Sequence, residues 1–320
     1  MVAEATSQVV TVSGRAGCHR DLPGTGPCPS LCRTLATVAR SHPPDVVLAG
    51  RGSARPTYCV QVDATGGTGT AVQLRGLVKR FGATLAVAGV DLDIPAGSFY
   101  GVVGPNGAGK TTTLSMATGL LVPDAGTVHV HGVDVWARPA QAAPLLGVLP
   151  DGLRLFDRLT GPELISYAGL LRGMDTRVVE ARRDDLLAAL DLTGAGSTLV
   201  ADYSAGMTKK VALACALVHA PRVLVLDEPF EAVDPVSATG IRTILRQFVA
   251  AGGTVVMSSH VMALVERVCD HVAVVGGGRV LAAGSLDEVR DGRNLEERFV
   301  DLLGGTTETP ELSWLRPSSD

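Results

Sequence analysis

The sequence predicts an α/β fold with a mostly parallel central sheet, an antiparallel β subdomain and an inserted helical subdomain. Continuous apolar runs at 223–226 and 253–257 are typical of parallel strands buried on both faces, and a helical pattern follows each of them. An alternation of apolar and polar residues between 72 and 94 predicts two strands of the antiparallel subdomain. From about 136 to 220 the apolar period changes to that of helices, which predicts the insertion.

Composition divides the chain into three parts. Residues 1–68 are rich in Gly, Pro, Arg, Ser and Thr without sustained periodicity, so we expect a disordered extension or a start codon assigned too far upstream, with a regulatory arm as the alternative. Residues 69–304 form the predicted domain, and 305–320 form a C-terminal tail.

The domain opens with strands. An alternating strand at 72–77 is followed by a second at 85–94, which ends at a Pro-Ala-Gly turn, and then by a buried strand at 98–103. Further strands are predicted at 272–275 and 280–282.

Three helices are predicted within the insertion. Thr160 to Glu163 form a capping box with proline in the first turn, and this helix should bury a face made of Leu164, Tyr167 and Leu171. The other two run from about 177 to 192 and from about 209 to 219.

The end of the domain is helical as well. A second capping box lies at 285–288, and an amphipathic helix carries Leu295, Phe299 and Leu302.

Composition also limits the classes of function that the chain can have. The 320 residues are 46% hydrophobic and carry a net charge of -4, so the chain lacks the basic excess of a nucleic-acid-binding protein. Its apolar runs end well before the roughly 20 residues that a membrane-spanning helix needs. The N-terminus lacks the order of a secretory signal. We therefore expect a cytoplasmic protein without a nucleic-acid partner.

The strongest chemical signal lies at 104–111, after an apolar strand and before a helical stretch. It matches the phosphate-binding P-loop pattern, and it reads Gly104, Pro105, Asn106, Gly107, Ala108, Gly109, Lys110 and Thr111. The glycines let backbone N–H groups converge on phosphate oxygens, while Lys110 would neutralise the β- and γ-phosphates. The Thr111 hydroxyl would ligate Mg²⁺, and Thr112 can contact the α-phosphate side. These residues predict a P-loop NTPase core.

A pair of carboxylates supplies the second half of the predicted site. The strand at 223–226 ends in Asp227 and Glu228, at the sheet edge where α/β folds bind ligands. Asp227 would hold Mg²⁺, and Glu228 would orient and polarise the water that attacks the γ-phosphate. The only asparagines are Asn106 and Asn294, and neither begins an Asn-Lys-x-Asp sequence, which argues against a guanine-specific domain.

A third motif carries a family resemblance. The segment Tyr203-Ser204-Ala205-Gly206-Met207 opens a helix and resembles the Leu-Ser-Gly-Gly-Gln sequence of ABC-transporter nucleotide-binding subunits, and the resemblance extends from about 71 to 303. It implies that Ser204, Ala205, Gly206 and Met207 of one subunit act in trans at the γ-phosphate bound by another. By itself, Ser-x-Gly before a helix is more often a cap.

Three further positions match the family in order. His260, after the strand at 253–257, is similar to the histidine that hydrogen-bonds the γ-phosphate and the attacking water. Asp234 occupies the place of the aspartate that communicates across the dimer. Phe81 matches the aromatic residue that stacks on adenine, with a core residue as the alternative.

One position departs from the family pattern. Where the family commonly has glutamine, this chain has Asp151, which can offer an oxygen to Mg²⁺ but adds negative charge close to Asp227 and Glu228. This variant and the Met207-x-Lys209-Lys210 sequence resemble subunits paired with six-helix permeases of the ABC-2 exporter type.

The resemblance implies an ATPase with ATP and Mg²⁺ as ligands. It further implies a homodimer that sandwiches two ATP molecules, attached to an integral-membrane permease on the inner face of the cell membrane. Two alternatives remain: a soluble ABC ATPase acting on nucleic acid or ribosomes, and a catalytically inactive regulatory subunit.

Overall fold

The structure of the protein is a computed structural model that describes residues 69–152 and 154–305. The extension predicted at 1–68 lies outside the described residues, as does the tail predicted at 305–320 apart from Gly305.

The described residues form ten strands in two sheets. The strands are β1 (Thr70–Phe81), β2 (Thr84–Pro95), β3 (Phe99–Val103), β4 (Ala125–Val130), β5 (Val133–Asp134), β6 (Leu146–Leu149), β7 (Val223–Leu226), β8 (Thr254–Ser259), β9 (His271–Gly276) and β10 (Arg279–Ser285). One sheet is antiparallel, in the order β2-β1-β4-β5. The other, in the order β10-β9-β3-β8-β7-β6, is parallel except for the edge strand β10. The predicted combination of a mostly parallel sheet and an antiparallel β subdomain is confirmed.

Helices connect and flank these strands. They are α1 (Lys110–Ala117), α2 (Pro139–Ala142), α3 (Gly161–Leu171), α4 (Thr176–Ala189), α5 (Ala205–Leu217), α6 (Pro235–Ala250), α7 (Met262–Val268), α8 (Leu286–Arg290) and α9 (Leu295–Leu302). Both predicted capping boxes are confirmed, since Thr160 and Ser285 cap α3 and α8 with the glutamate three residues later reaching back. In the described part of the chain, no helix is both long and apolar enough to span a bilayer.

The helices α3, α4 and α5 contact one another and form the predicted helical subdomain. The predicted buried face of α3 is wrong except for Leu164. Tyr167 is 45% exposed and Leu171 is 73% exposed, whereas Ile165 is fully buried. The reason is that α3 packs through the face that contains Leu164, Ile165 and Gly169, against α4 and α5. Its opposite apolar residues are left open.

Other elements also differ from the prediction. The strand β6 lies inside the stretch predicted as helical and forms the edge of the parallel sheet beside β7. The strand β4, which pairs with β1, was not predicted. Helix α5 begins at Ala205 and not at about Lys209, because Ser204 caps it, so the expectation that the segment 203–207 opens a helix is confirmed.

The order of the parallel strands determines where the candidate site lies. Val103 of β3 pairs with Ser259 of β8, and Leu226 of β7 pairs with Met257. The carboxyl ends of these three strands therefore meet at one edge of the sheet. The segments that follow them are the P-loop, the Asp227-Glu228 pair and the segment that contains His260.

Candidate active site

The P-loop leaves β3 and ends at the first turn of α1. Gly109 has a φ of 100°, and a Cβ atom there would lie 2.5 Å from the Ala86 carbonyl oxygen. A Cβ at Gly104 would likewise collide with the Val275 carbonyl oxygen. Only glycine fits at both positions, so close packing against the neighbouring backbone fixes the path of the loop into the helix.

The side chain of Lys110 is held inside this loop. It is 6% exposed, and its Nζ donates hydrogen bonds to the carbonyl oxygens of Gly104, at 2.8 Å, and Pro105, at 3.2 Å. The same Nζ lies 3.9 Å from Oε1 of Glu228. The cation is thus positioned between the loop backbone and the carboxylate that follows β7.

Glu228 and His260 lie side by side. Oε1 of Glu228 is 3.0 Å from Nδ1 of His260, and the Glu228 side chain is 13% exposed while that of His260 is 43% exposed. Glu228 also has a φ of 45°. This left-handed conformation costs a residue with a side chain roughly 1 kcal/mol, and strain of this kind is concentrated at functional sites.

Asp227 lies out of the solvent, at 4% exposure. The hydroxyl of Ser258 donates a hydrogen bond to Oδ1 of Asp227 and accepts one from the backbone N–H of Glu228, at 2.9 Å. Sequence reasoning gave Ser258 no role. The register signals it, because Leu226 pairs with Met257 and the next residues along, Asp227 and Ser258, are neighbours at the sheet edge.

An open cleft of about 590 Å³ brings most of the predicted site residues together. It is lined by Phe81, Thr84, Ala86, Asn106, Gly107, Ala108, Gly109, Lys110, Thr111, Thr112, Asp151, Glu228, Glu231 and His260. Thr84, Ala86 and Glu231 were not predicted. Gly104, Pro105 and Asp227 adjoin the cleft through their chain neighbours and are not among its lining residues.

Phe81 is a cleft residue and not a core residue. Its side chain is 51% exposed, which excludes the alternative reading of a packed aromatic residue. The Nζ of Lys79 lies 5.8 Å from the centroid of the Phe81 ring. The ring therefore offers a flat apolar surface beside the P-loop.

The residues expected to act in trans lie elsewhere. Ser204 caps α5, accepting the N–H of Met207 at 3.2 Å, and both Ser204 and Ala205 are exposed. None of the described residues that line the cleft belongs to the segment 204–207 or is Asp234. Ala205 instead lines an adjoining cavity of about 370 Å³ together with Lys209, and this cavity shares Asp151 and Glu231 with the cleft.

Gly206 and Asp234 are close neighbours within the chain. A Cβ at Gly206 would lie 2.9 Å from Oδ2 of Asp234 and 2.8 Å from Oγ of Ser237, so a side chain there would force these two side chains to move. Asp234 caps α6 by accepting the N–H groups of Ser237, at 2.9 Å, and Val236, at 3.0 Å. These hydrogen bonds lower the pKa of the Asp234 carboxyl.

The known proteins similar to this chain include ATP-binding proteins named for drug resistance and for export. Residues 87–231 match the family model described as ABC transporter. The chain is 38% identical over 222 residues to the daunorubicin resistance ATP-binding protein DrrA3 of Streptomyces coeruleorubidus. The aligned residues make up 69% of this chain and 70% of the relative. It is 39% identical over 214 residues to the Nod factor export ATP-binding protein I of Burkholderia lata. Here the aligned residues make up 67% of this chain and 70% of the relative.

Solved structures of ABC-transporter subunits share the fold of this chain. A structure described as the ATP-binding subunit of an ABC transporter superimposes with a TM-score of 0.68 at 29% identity. The match covers 73% of this chain and 99% of that structure. The match shows that the two-sheet core and the helical subdomain together form one known architecture.

Proposed function

Because this chain belongs to the ATP-binding cassette family of ABC transporters and is an ATPase of that family, we propose that two copies of it hydrolyse ATP together and drive export through a separate integral-membrane permease. The observation that carries the proposal is the convergence of Lys110, Glu228 and His260 on one cleft. These are a phosphate-binding cation, a general base and a hydrogen-bonding partner, at the sheet edge where such folds bind ligands.

The residues of the cleft fit ATP and Mg²⁺. The P-loop runs into the N-terminus of α1, which favours anions through its free N–H groups and its dipole. Thr111 provides a hydroxyl in the first turn of α1, and Asp227 provides a carboxylate, both of them the hard oxygen ligands that Mg²⁺ prefers. Asp151, which lines the same cleft, is a further oxygen donor. When bound, Mg²⁺ would supply charge neutralisation at the β- and γ-phosphate oxygens.

The remaining P-loop residues and Phe81 bind the rest of the nucleotide. Gly104 to Thr112 wrap the phosphates, with Thr112 on the α-phosphate side, and the exposed ring of Phe81 stacks on adenine.

Glu228 is the general base of the hydrolysis. Its carboxylate orients a water molecule, whose oxygen bonds to the γ-phosphorus as the bond to the β–γ bridging oxygen breaks. ADP leaves with that electron pair, and the proton of the water passes to Glu228. His260, at 3.0 Å from the carboxylate, hydrogen-bonds the γ-phosphate and the attacking water. Lys110 neutralises the β- and γ-phosphates.

A second copy of the chain completes each site. Ser204 and Ala205 are exposed at the N-terminus of α5, where a second molecule can reach them. The N-terminus of a helix of this length offers free N–H groups to a phosphate, so Ser204 to Met207 would contact the γ-phosphate held by the partner copy. Asp234, packed against Gly206, would lie at the same contact.

The membrane partner is supported by an exposed apolar surface on the helical subdomain, called here the α3 patch. It consists of Phe156, Tyr167, Leu170 and Leu171, which are 59%, 45%, 46% and 73% exposed. The rings of Phe156 and Tyr167 pack edge to face, with their centroids 5.4 Å apart. Contiguous exposed apolar residues of this kind mark interaction surfaces. The patch would bind an ABC-2-type permease and hold the chain peripherally at the cytoplasmic face of the membrane.

The relatives support export, since one is named for daunorubicin resistance and another for Nod factor export. The proposal therefore assigns the chain to an exporter.

The test is to trap the dimer. Glu228→Gln keeps the size of the side chain but removes the base, so ATP should bind and persist, and the variant should elute as a dimer in size exclusion with Mg-ATP. The matched control is Lys110→Ala combined with Glu228→Gln, which removes the phosphate-binding cation and should stay monomeric. A Glu228→Gln variant that remains monomeric with saturating ATP would contradict the sandwich, and wild-type turnover in that variant would contradict the role of Glu228.

The permease contact needs its own test. Leu171→Glu places a charge in the α3 patch and should abolish recovery of the chain with cell membranes while leaving the ATPase activity of the purified chain unchanged. The control is Val178→Glu, at a 43%-exposed position of α4 outside the patch. Equal membrane recovery of both variants would contradict docking through the α3 patch.

A further inference from the structure

We propose that Lys209 and Ser258 are positioning residues that hold the backbone of Glu228 in the conformation its action as general base requires. The proposal rests on the role of Glu228 given above. It concerns two side chains that contact neither the phosphates nor the attacking water but fix the residue that does.

Both backbone polar groups of Glu228 have a side-chain partner. Its N–H donates to Oγ of Ser258 at 2.9 Å, and its carbonyl oxygen accepts from Nζ of Lys209 at 3.1 Å. The same carbonyl also accepts the N–H of Glu231 at 3.2 Å. Glu228 has a φ of 45°, a left-handed conformation that persists only where the surroundings hold it.

Ser258 contacts both Asp227 and Glu228. It is fully buried at the end of β8, and it bonds both the carboxylate of Asp227 and the N–H of Glu228. One hydroxyl thus sets the relative position of the proposed metal ligand and the proposed base. A side chain without a hydroxyl would leave the Glu228 N–H without this acceptor.

Lys209 holds Glu228 from the other side. It lies near the start of α5, the helix that begins with the segment proposed to act in trans, and its ammonium reaches across to the loop after β7. A hydrogen bond from a charged donor is stronger than a neutral one. Through Lys209, the helix that contacts the partner's ATP is tied to the base of its own copy.

The test compares the effects of substitutions on kcat and on KM for ATP. Lys209→Met should lower kcat about tenfold, because a small displacement of a catalytic group is enough for such a loss, while KM for ATP stays unchanged. Lys209→Arg keeps a cationic donor and should restore most of the turnover. Arg246→Met is the matched control, since Arg246 also donates to a backbone carbonyl, that of Arg267 at 2.8 Å, but outside the cleft. It should turn over like wild type.

A double-mutant cycle decides whether Lys209 acts through Glu228. Residual hydrolysis is measured in single-turnover experiments with enzyme in excess. If Lys209 acts only by placing the Glu228 carboxylate, then Lys209→Met should have no further effect in the Glu228→Gln background. An equal fold-loss in both backgrounds would overturn the proposal. Wild-type turnover in Glu228→Gln alone would instead overturn the proposed function, so the two failures are distinguishable.

Ser258 gives a second, different readout. Ser258→Ala should lower kcat and also raise the Mg²⁺ concentration needed for half-maximal turnover, because Ser258 holds Asp227 as well. Lys209→Met should leave the Mg²⁺ requirement unchanged. An unchanged kcat in a folded Ser258→Ala variant would overturn its role, and if that variant does not fold, the cycle at Lys209 decides the proposal.

Discussion

The side chains of His260 and Glu228 are in direct contact, and Nδ1 of the imidazole lies 3.0 Å from Oε1 of the carboxylate. They lie 32 positions apart in sequence, yet they meet because each follows a parallel strand and the two strands, β7 and β8, are paired. The contact holds the carboxylate next to the imidazole ring. A change at His260 should therefore affect the position of Glu228 in addition to removing the proposed hydrogen bonds of His260 to the γ-phosphate and the attacking water.

The first prediction concerns this contact. His260→Ala should lower turnover about a hundredfold, in the range expected for loss of one transition-state hydrogen-bond donor. Nucleotide affinity should be nearly unchanged. Phosphate release at saturating ATP measures the effect, and His260→Gln, which keeps a hydrogen-bonding group, should lose less. Val261→Ala, at the next exposed position, is the control. Wild-type turnover in His260→Ala would rule out its role.

The strands and cleft of the core follow from local signals in the sequence. The P-loop, the strand before Asp227 and the strand before His260 are each recognisable from a short apolar run and the residues after it. Their convergence then follows from the rule that parallel strands present their carboxyl ends at one edge. For this reason the fold class and the grouping of Lys110, Glu228 and His260 could be anticipated without coordinates.

Features that depend on tertiary packing could not be anticipated. The four residues of β6 are too few to show a period, and they become a strand only by pairing with β7. Tyr167 and Leu171 match a helical apolar stripe, but α3 buries the neighbouring face. The contact of Lys209 with the Glu228 carbonyl depends on how α5 packs beside the loop after β7, which sequence spacing does not encode.

The second prediction concerns nucleotide affinity. Phe81→Ala should weaken binding of both ATP and ADP about tenfold, since stacking of a base on an aromatic ring contributes roughly 1–3 kcal/mol. Phe81→Trp should retain the affinity. Titration with a fluorescent nucleotide measures it, and kcat at saturation should not change. Leu85→Ala, at a 39%-exposed position of β2 outside the cleft lining, is the control. Equal affinities in Phe81→Ala and wild type would argue against stacking.

The third prediction concerns the negative charge of Asp151. This residue shares the cleft with Glu228 and Glu231, so three carboxylates face the same space. Asp151→Asn keeps an oxygen but removes the charge. It should raise the Mg²⁺ concentration for half-maximal turnover several-fold and strengthen binding of metal-free ATP, because repulsion of the phosphates falls. Titrations with Mg²⁺ and with ATP in EDTA measure the two effects. An unchanged Mg²⁺ requirement would remove Asp151 from the metal site.

The fourth prediction concerns stability against pH. Burial, assisted by the positive charge of Arg172, lowers the pKa of His219 to about 4 from an ordinary value of 6.5. Its Nε2 lies 2.9 Å from the Leu146 carbonyl oxygen, so the neutral ring donates this hydrogen bond. Between these two pKa values the unfolded chain binds a proton at His219 that the folded chain does not. The free energy of unfolding should therefore fall as the pH is lowered through this window.

His219→Gln tests this assignment, because the glutamine amide can donate to the Leu146 carbonyl but does not titrate. Urea unfolding at about pH 7.5 and about pH 5 should show a smaller loss of stability in the variant than in wild type. Part of the loss should remain, since burial also lowers the pKa of His131. Similar stabilities of variant and wild type at the higher pH would show that the hydrogen bond is preserved. An equal loss in both proteins on acidification would mean that His219 is not the group that titrates.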